Sequence, residues 1–321
     1  MRRTVALLCA APSPHALHWW AWARAGSDTG FGQRSARAYD ADVRLRLYHH
    51  HDGARVAYRE LGAGPPLALL HSALLSHMEW EPAAEQLAQR FRVVLPDLPL
   101  HGDSERGPEY PYTLDWFAQV LAGFAREVLG SRPLIGGRDA GAEILLHALL
   151  TQELRPARLV LMPTRLHAVP AHPLLRRSWR VAASAAVVPG LDWLLSHATR
   201  AVFTPQRALR LTARGNPAAA DLLRHAFADV PGNAGLARAW ARFARSWPGG
   251  AQVHLRELYP RLEMPVLLLW ADGDPLYPLA AAEEALGLLP NGQLRILRST
   301  GFLMAYDDPV GLARELAAFC G

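Results

Sequence analysis

The stretch Gly137-Arg138-Asp139-Ala140-Gly141 carries the most pointed chemistry in this chain. A short apolar run at 133–136 leads into it, and a helical run at 142–150 leaves it. A strand that turns sharply into a helix brings two backbones close together, so the residues flanking the turn must be small, and the apex residue is pushed above the sheet. The apex residue here is Asp139. A carboxylate at that place is ionised at neutral pH, can attack without a base, and has a helix N-terminus behind it to favour negative charge. It could equally act as a base, or be held by Arg138 or Arg165 as a structural or ligand-anchoring group. Three further loops hold polar groups in a similar setting. Leu69-Leu70-His71-Ser72-Ala73 follows an apolar run, Asp97-Leu98-Pro99-Leu100-His101-Gly102-Asp103-Ser104 follows another, and Trp270-Ala271-Asp272-Gly273-Asp274-Pro275 a third.

The elements that must position these loops follow from periodicity. Residues 44–50 and 54–61 read as two strands joined at Asp52-Gly53, a strong hairpin signal. Apolar runs at 67–70, 92–96, 133–136 and 158–162 read as buried strands, separated by helices at 80–91, 112–129 (with Thr113 as cap) and 142–150. That alternation predicts an α/β fold with a mostly parallel sheet covered on both faces and an antiparallel N-terminal hairpin. From 164 to 263 no strand is evident; helical runs at 174–188, 191–201, 206–214, 218–228 and 236–247 suggest a helical cap inserted after the sixth strand. The αβ rhythm then resumes with a strand at 266–270, a helix at 279–289, a strand at 293–297 and a last helix from Pro309. The organisation expected is a poorly ordered N-terminal extension (1–42), a core built from 43–163 and 264–321, and a cap at 164–263. Ligands of such sheets sit beyond the carboxyl ends of the strands, where all four loops lie.

Taken in this order, the four loops resemble those of the α/β-hydrolase superfamily, over roughly Val43 to the C-terminus. The resemblance implies that Asp139 stands at the nucleophile position, usually a serine, and that Asp274 is the triad acid, with Asp272 a lesser alternative. It implies that backbone N–H groups of Ala140 and of Ser72 or Ala73 form the oxyanion hole, although Ser72 replaces the family's usual glycine. His101, in the loop after the fourth strand, is more often structural than catalytic in that family. The family's final loop reads Gly-His-Phe-Pro before an acidic residue and Pro; here it is Gly301-Phe302-Leu303-Met304-Ala305-Tyr306-Asp307-Asp308-Pro309, so the catalytic histidine becomes Phe302.

Phenylalanine carries no titrating proton, so it can neither activate a serine nor activate water against a covalent ester. Haloalkane dehalogenases and epoxide hydrolases of the family also begin with an aspartate nucleophile, but a residue that assists them is absent here: Ala140 rather than Trp or Arg follows Asp139, and no tyrosine lies between Tyr112 and Tyr259. His167 is the best replacement base, with His71 next; each is also readable as an ordinary loop histidine. Pocket candidates are therefore His71, Arg138, Arg165, His167 and Phe302. The expectation is an enzyme of hydrolase ancestry acting on a small, largely apolar molecule under the cap, with a degenerate triad; the alternative is a non-catalytic small-molecule-binding or accessory protein.

Bulk properties narrow the field. A net charge of +5 and a pI near 9.6 invite a nucleic-acid reading, yet all the basic residues are arginines scattered in ones and twos, with no clustered stripe or module. No nucleic-acid partner is expected. Cys9 and Cys320 fit neither a disulfide framework nor a metal spacing, and no phosphate loop or flavin signature is present, so no metal or cofactor is expected. No apolar run is long enough to span a membrane, and a cytoplasmic location is expected despite a poor signal-like start at Arg2-Arg3. The oligomeric state is not legible.

Overall fold

The computed structural model describes residues 43–321 except 108, 153, 220, 223–232, 248–251 and 169–208, within which only 181, 184, 193 and 197 are described. Eight strands form one sheet: β1 (Arg44–His49), β2 (Arg55–Leu61), β3 (Pro66–Leu70), β4 (Arg92–Pro96), β5 (Leu134–Gly137), β6 (Arg158–Leu161), β7 (Val266–Ala271) and β8 (Gly292–Leu297). Their order is β1-β2-β4-β3-β5-β6-β7-β8. β2 is antiparallel to both of its neighbours, and every pair from β4 to β8 is parallel. The central strands are apolar along their whole length because helices cover both faces; Leu67–Leu70 and Val266–Trp270 are fully buried.

Among the described residues the main helices are α1 (Glu81–Ala88), α2 (Leu114–Phe124), α3 (Asp139–Thr151), α4 (Ala234–Ser246, within the expected cap), α5 (Ala280–Leu288) and α6 (Pro309–Cys320). α2 packs against α3 and α1 against α6. Thr113 caps α2 as expected, its hydroxyl accepting from Trp116 N–H at 3.2 Å. The helix expected at 112–129 is shorter, ending in a π-turn at Ala125–Leu129. A one-turn helix at Met304–Asp307 was not apparent in the sequence. The more consequential difference is at the elbow: α3 begins at Asp139 itself rather than near 142, so the carboxylate sits on the helix's first turn.

The expected helical runs at 174–188 and 191–201 lie almost wholly outside the described residues, as do 206–208 and 223–228. The last run is α4. Asn233 caps it, accepting from Leu236 N–H at 3.0 Å, and its buried stripe (Leu236, Ala239, Phe243) turns toward the core. Phe243 and Trp247 meet Phe117 of α2 edge to face, with ring centroids 5.7 and 6.0 Å apart.

Candidate active site

The elbow has the tight geometry its sequence requires. A Cβ on Gly137 would lie 2.8 Å from Ala142 N, and one on Gly141 would lie 2.7 Å from both His71 O and Leu70 Cβ. Neither position tolerates a side chain. Asp139 has φ +46°, a left-handed conformation that costs a non-glycine residue roughly 1–2 kcal/mol. The loop after β6 holds it there: Asp139 N–H donates to Pro163 O at 3.0 Å, and Thr164 Oγ1 donates to Asp139 O at 3.1 Å.

The carboxylate of Asp139 is partly exposed and receives two uncharged donors. Ala73 N–H meets Oδ2 at 2.9 Å, and the Tyr277 hydroxyl donates to Oδ1 in a short hydrogen bond. Burial and the neighbouring Asp139 charge push the Tyr277 phenol well above its ordinary range, so it stays protonated and donating.

The alternative in which Arg138 or Arg165 holds Asp139 is not what forms. Arg138 points away, into the interior. Its Nη2 meets Asp274 Oδ2 at 2.7 Å, with both side chains completely buried, and its Nη1 meets Glu79 Oε1 at 3.2 Å. The Phe302 ring lies over the guanidinium, 3.8 Å from Cζ to centroid, in a cation–π stack. Phe302 therefore caps the cation that neutralises Asp274. The other oxygen of Asp274 accepts from Leu276 N–H at 2.7 Å and Tyr277 N–H at 3.0 Å. Asp272, the alternative acid, is exposed and, among the described residues, its side chain accepts from Thr300 N–H alone, at 3.3 Å.

Of the expected oxyanion donors, Ser72 is already spent. Its N–H donates to Glu79 Oε2 at 2.6 Å and its hydroxyl to Oε1 at 2.9 Å. Burial raises the Glu79 carboxyl, with Arg138 pulling the other way. Ala73 N–H faces the site but is engaged by Asp139, and Ala140 lies buried in the first turn of α3.

Neither candidate histidine reaches the carboxylates. His71 is fully buried, its Nδ1 donating to Ser72 O at 2.7 Å and its Nε2 accepting from Leu98 N–H at 2.9 Å. Burial pushes its pKa down to about 4, so the ring is a neutral clip between two loops. His167 is also buried, with Nε2 on Glu284 at 2.9 Å and Nδ1 on Tyr259 Oη at 3.3 Å. Arg165 pairs with Glu143 Oε2 at 2.8 Å, and the same oxygen accepts from Trp247 Nε1 at 2.8 Å, tying α3 to the end of α4.

Two residues in this network, Tyr277 and Glu79, were not singled out from sequence. Tyr277 carried a usable signal: Asp274-Pro275 initiates a turn, and the N–H groups two and three residues on must close onto the Asp side chain. Glu79 carried none, because an acid in an apolar stretch acquires meaning only once Arg138 is seen opposite it.

An eight-stranded sheet of this order, with the elbow after β5 and acidic loop after β7, defines an α/β-hydrolase. The sequence profile of the alpha/beta hydrolase fold matches residues 65–309, and the chain belongs to that family. A pimeloyl-[acyl-carrier protein] methyl ester esterase of Aeromonas salmonicida is 30% identical over 234 residues, 70% of this chain and 84% of the relative. Among solved structures, an α/β-hydrolase-fold protein of Burkholderia ambifaria superposes with TM-score 0.72 at 23% identity, covering 85% of this chain and 97% of that one. A thermophilic esterase of Thermogutta terrifontis gives 0.68 at 23% identity, covering 86% and 98%. At those identities the two structures bear on the fold alone. No helix among the described residues is long and apolar enough to cross a membrane.

Proposed function

We propose that this chain is a hydrolase-superfamily enzyme that acts on a small, largely apolar molecule beneath a helical cap formed by residues 164–263, with Asp139 as its working group. Asp139, Asp274 and Phe302 make a degenerate triad, and the chemistry is not that of a serine esterase. The observation that carries this reading is the set of partners on the two carboxylates. Asp139 meets a phenol and a backbone N–H; Asp274 meets a guanidinium; among the described residues no imidazole touches either. A partly exposed carboxylate met by uncharged donors is not tied up in an ion pair, which leaves it available as a nucleophile or base. Ester hydrolysis of the kind named for the Aeromonas relative requires a proton carrier at the place Phe302 fills. A cytoplasmic location accompanies this proposal.

The reading is tested by exposing the protein to panels of alkyl halides, epoxides and activated esters, followed by intact-mass and peptide analysis. A nucleophilic Asp139 gives a persistent adduct that is absent in Asp139→Asn; a basic one gives turnover without adduct, also abolished by Asp139→Asn. Neither adduct nor turnover overturns the enzymatic reading. One observation favours a binding or accessory protein instead: Phe302 seals Arg138 onto Asp274, closing the place where a proton carrier would work. Ligand-induced thermal stabilisation without turnover would support that second reading.

A further inference from the structure

The geometry points to Arg138 as a positioning residue that occupies the role left by the missing imidazole: by closing on Asp274 it sets the Tyr277 hydroxyl against Asp139. The inference rests on Asp139 being the working group and adds its proton-bearing partner.

The connection runs through contacts that each restrict the next. The guanidinium is planar and carries its donors in a fixed fork, so contacts on several sides leave it one orientation. Here Glu79 takes Nη1 at 3.2 Å, Asp274 takes Nη2 at 2.7 Å, and the Phe302 ring covers one face at 3.8 Å. With Oδ2 committed to Arg138, Asp274 directs Oδ1 to the N–H groups of Leu276 and Tyr277, at 2.7 and 3.0 Å. The carbonyl of Tyr277 is held as well, accepting from Trp270 Nε1 at 2.9 Å. Fixed at both its N–H and its C=O, Tyr277 can carry its hydroxyl to only a small region, and Asp139 Oδ1 is there. An imidazole at position 302 would titrate and would take a proton from the nucleophile or from water. Arg138 remains charged, so Asp274 serves to place a phenol, and the proton next to Asp139 belongs to Tyr277. Phe302 is then a matched member of the set, stacking on the cation that stands beside Asp274 in place of the family's imidazole.

The charged and titratable groups that act on Asp139 or on its partner Tyr277 are Arg138 and Glu143 from the elbow and α3 and His71 from the loop after β3, with Asp274 and Glu79 joined to them through Arg138. Positioning and simple charge effects therefore predict opposite signs, which permits a clean test. The side-chain carboxyl of Asp139 would be followed by 13C NMR through a pH titration of the full chain, its signal assigned with Asp139→Asn. Tyr277→Phe removes a donor to the charged form and is expected to raise the Asp139 pKa by about one unit. Asp274→Ala removes a negative charge from the network and leaves Arg138 paired with Glu79 alone, which by charge alone lowers the Asp139 pKa; if it also releases Tyr277, the pKa rises to the Tyr277→Phe value. Phe302→Leu changes no charge and is expected to give a smaller rise, and it replaces Asp274→Ala as the deciding variant where that protein does not fold. A fall in Asp274→Ala, or an unmoved value in a folded Phe302→Leu, overturns the inference. The titration needs no substrate, so its failure is distinct from failure of the adduct and turnover panels.

Discussion

Two carboxylates at the carboxyl end of the sheet are held in contrasting ways. Asp97, after β4, is fully buried and saturated: Oδ1 accepts from His77 N–H at 2.7 Å and lies 2.8 Å from His77 Nδ1, while Oδ2 accepts from Asp103 N–H at 2.9 Å. Asp139, after β5, is partly exposed and has one backbone donor and one phenol. An Asp–His pair thus exists in this protein, but it clips one loop to another. At Asp274, where an α/β-hydrolase would place its histidine, an arginine stands instead. The comparison teaches that a short carboxylate–imidazole contact does not by itself mark a working site. A structural carboxylate is sealed with all its lone pairs matched, whereas a carboxylate available to a ligand keeps one side open.

Substitutions that break this contrast should differ in size. Arg138→Met leaves Asp274 and Glu79 buried without their cation and is expected to cost about 3–5 kcal/mol of stability, read from urea denaturation. A loss below 1 kcal/mol would mean that the network relaxes into solvent. Asp97→Asn weakens charge-assisted bonds from two loops and should cost about 2–3 kcal/mol by the same measurement, without moving the Asp139 titration.

The Asp97–His77 pair should also give stability a pH dependence. Burial alone would raise Asp97, but the His77 charge and its hydrogen bond outweigh that and hold the carboxyl well below its usual range; burial would lower His77, but Asp97 raises it. Asp97's contribution is present above its unfolded pKa of about 3.9 and is lost as pH falls through its depressed folded value. His77's is complete below about 6.5 and is lost as pH rises through its raised folded value. The pair is therefore worth most between about pH 4 and 6.5. His77→Gln should flatten the decline in denaturation midpoint between pH 5.5 and 8.5 (roughly one unit below the imidazole's ordinary value to two units above it, since the folded value is raised). An unchanged decline would remove His77 from the account. The smallest effect is expected from Tyr277→Phe, at most about 1 kcal/mol of stability, because one hydrogen bond is lost and a partly exposed carboxylate can find water. Its consequence should be confined to Asp139, as a changed rate of adduct formation or turnover.

Much of this is legible in the amino-acid sequence. Strand and helix placement followed from apolar periodicity, with boundaries displaced by a few residues because helix ends respond to local contacts: α3 starts at Asp139 since Pro163 and Thr164 hold that residue's backbone. The elbow glycines were readable because close backbone approach leaves no room for a side chain. The pairing of Arg138 was not. From sequence it is adjacent to Asp139 and reads as its partner, but alternation along an extended strand end sends neighbouring side chains to opposite sides. His71 and His167 looked available for the same reason: nothing in their neighbours' identities shows that Leu98 N–H, Tyr259 and Glu284 will occupy their nitrogens.

What the amino-acid sequence determined by itself was local and periodic: the α/β class, the order of the loops, an aspartate at the elbow, and a phenylalanine where the family carries histidine. What only the tertiary structure decided was which charges meet. Glu79, Arg138, Asp274, Tyr277 and Phe302 come from four loops far apart in the chain, and their contacts depend on strand order in the sheet. Spacing along a chain specifies which face of an element a side chain occupies; it does not specify what lies across from it. That is why Phe302 reads in sequence as a loss and in three dimensions as the lid on a buried arginine.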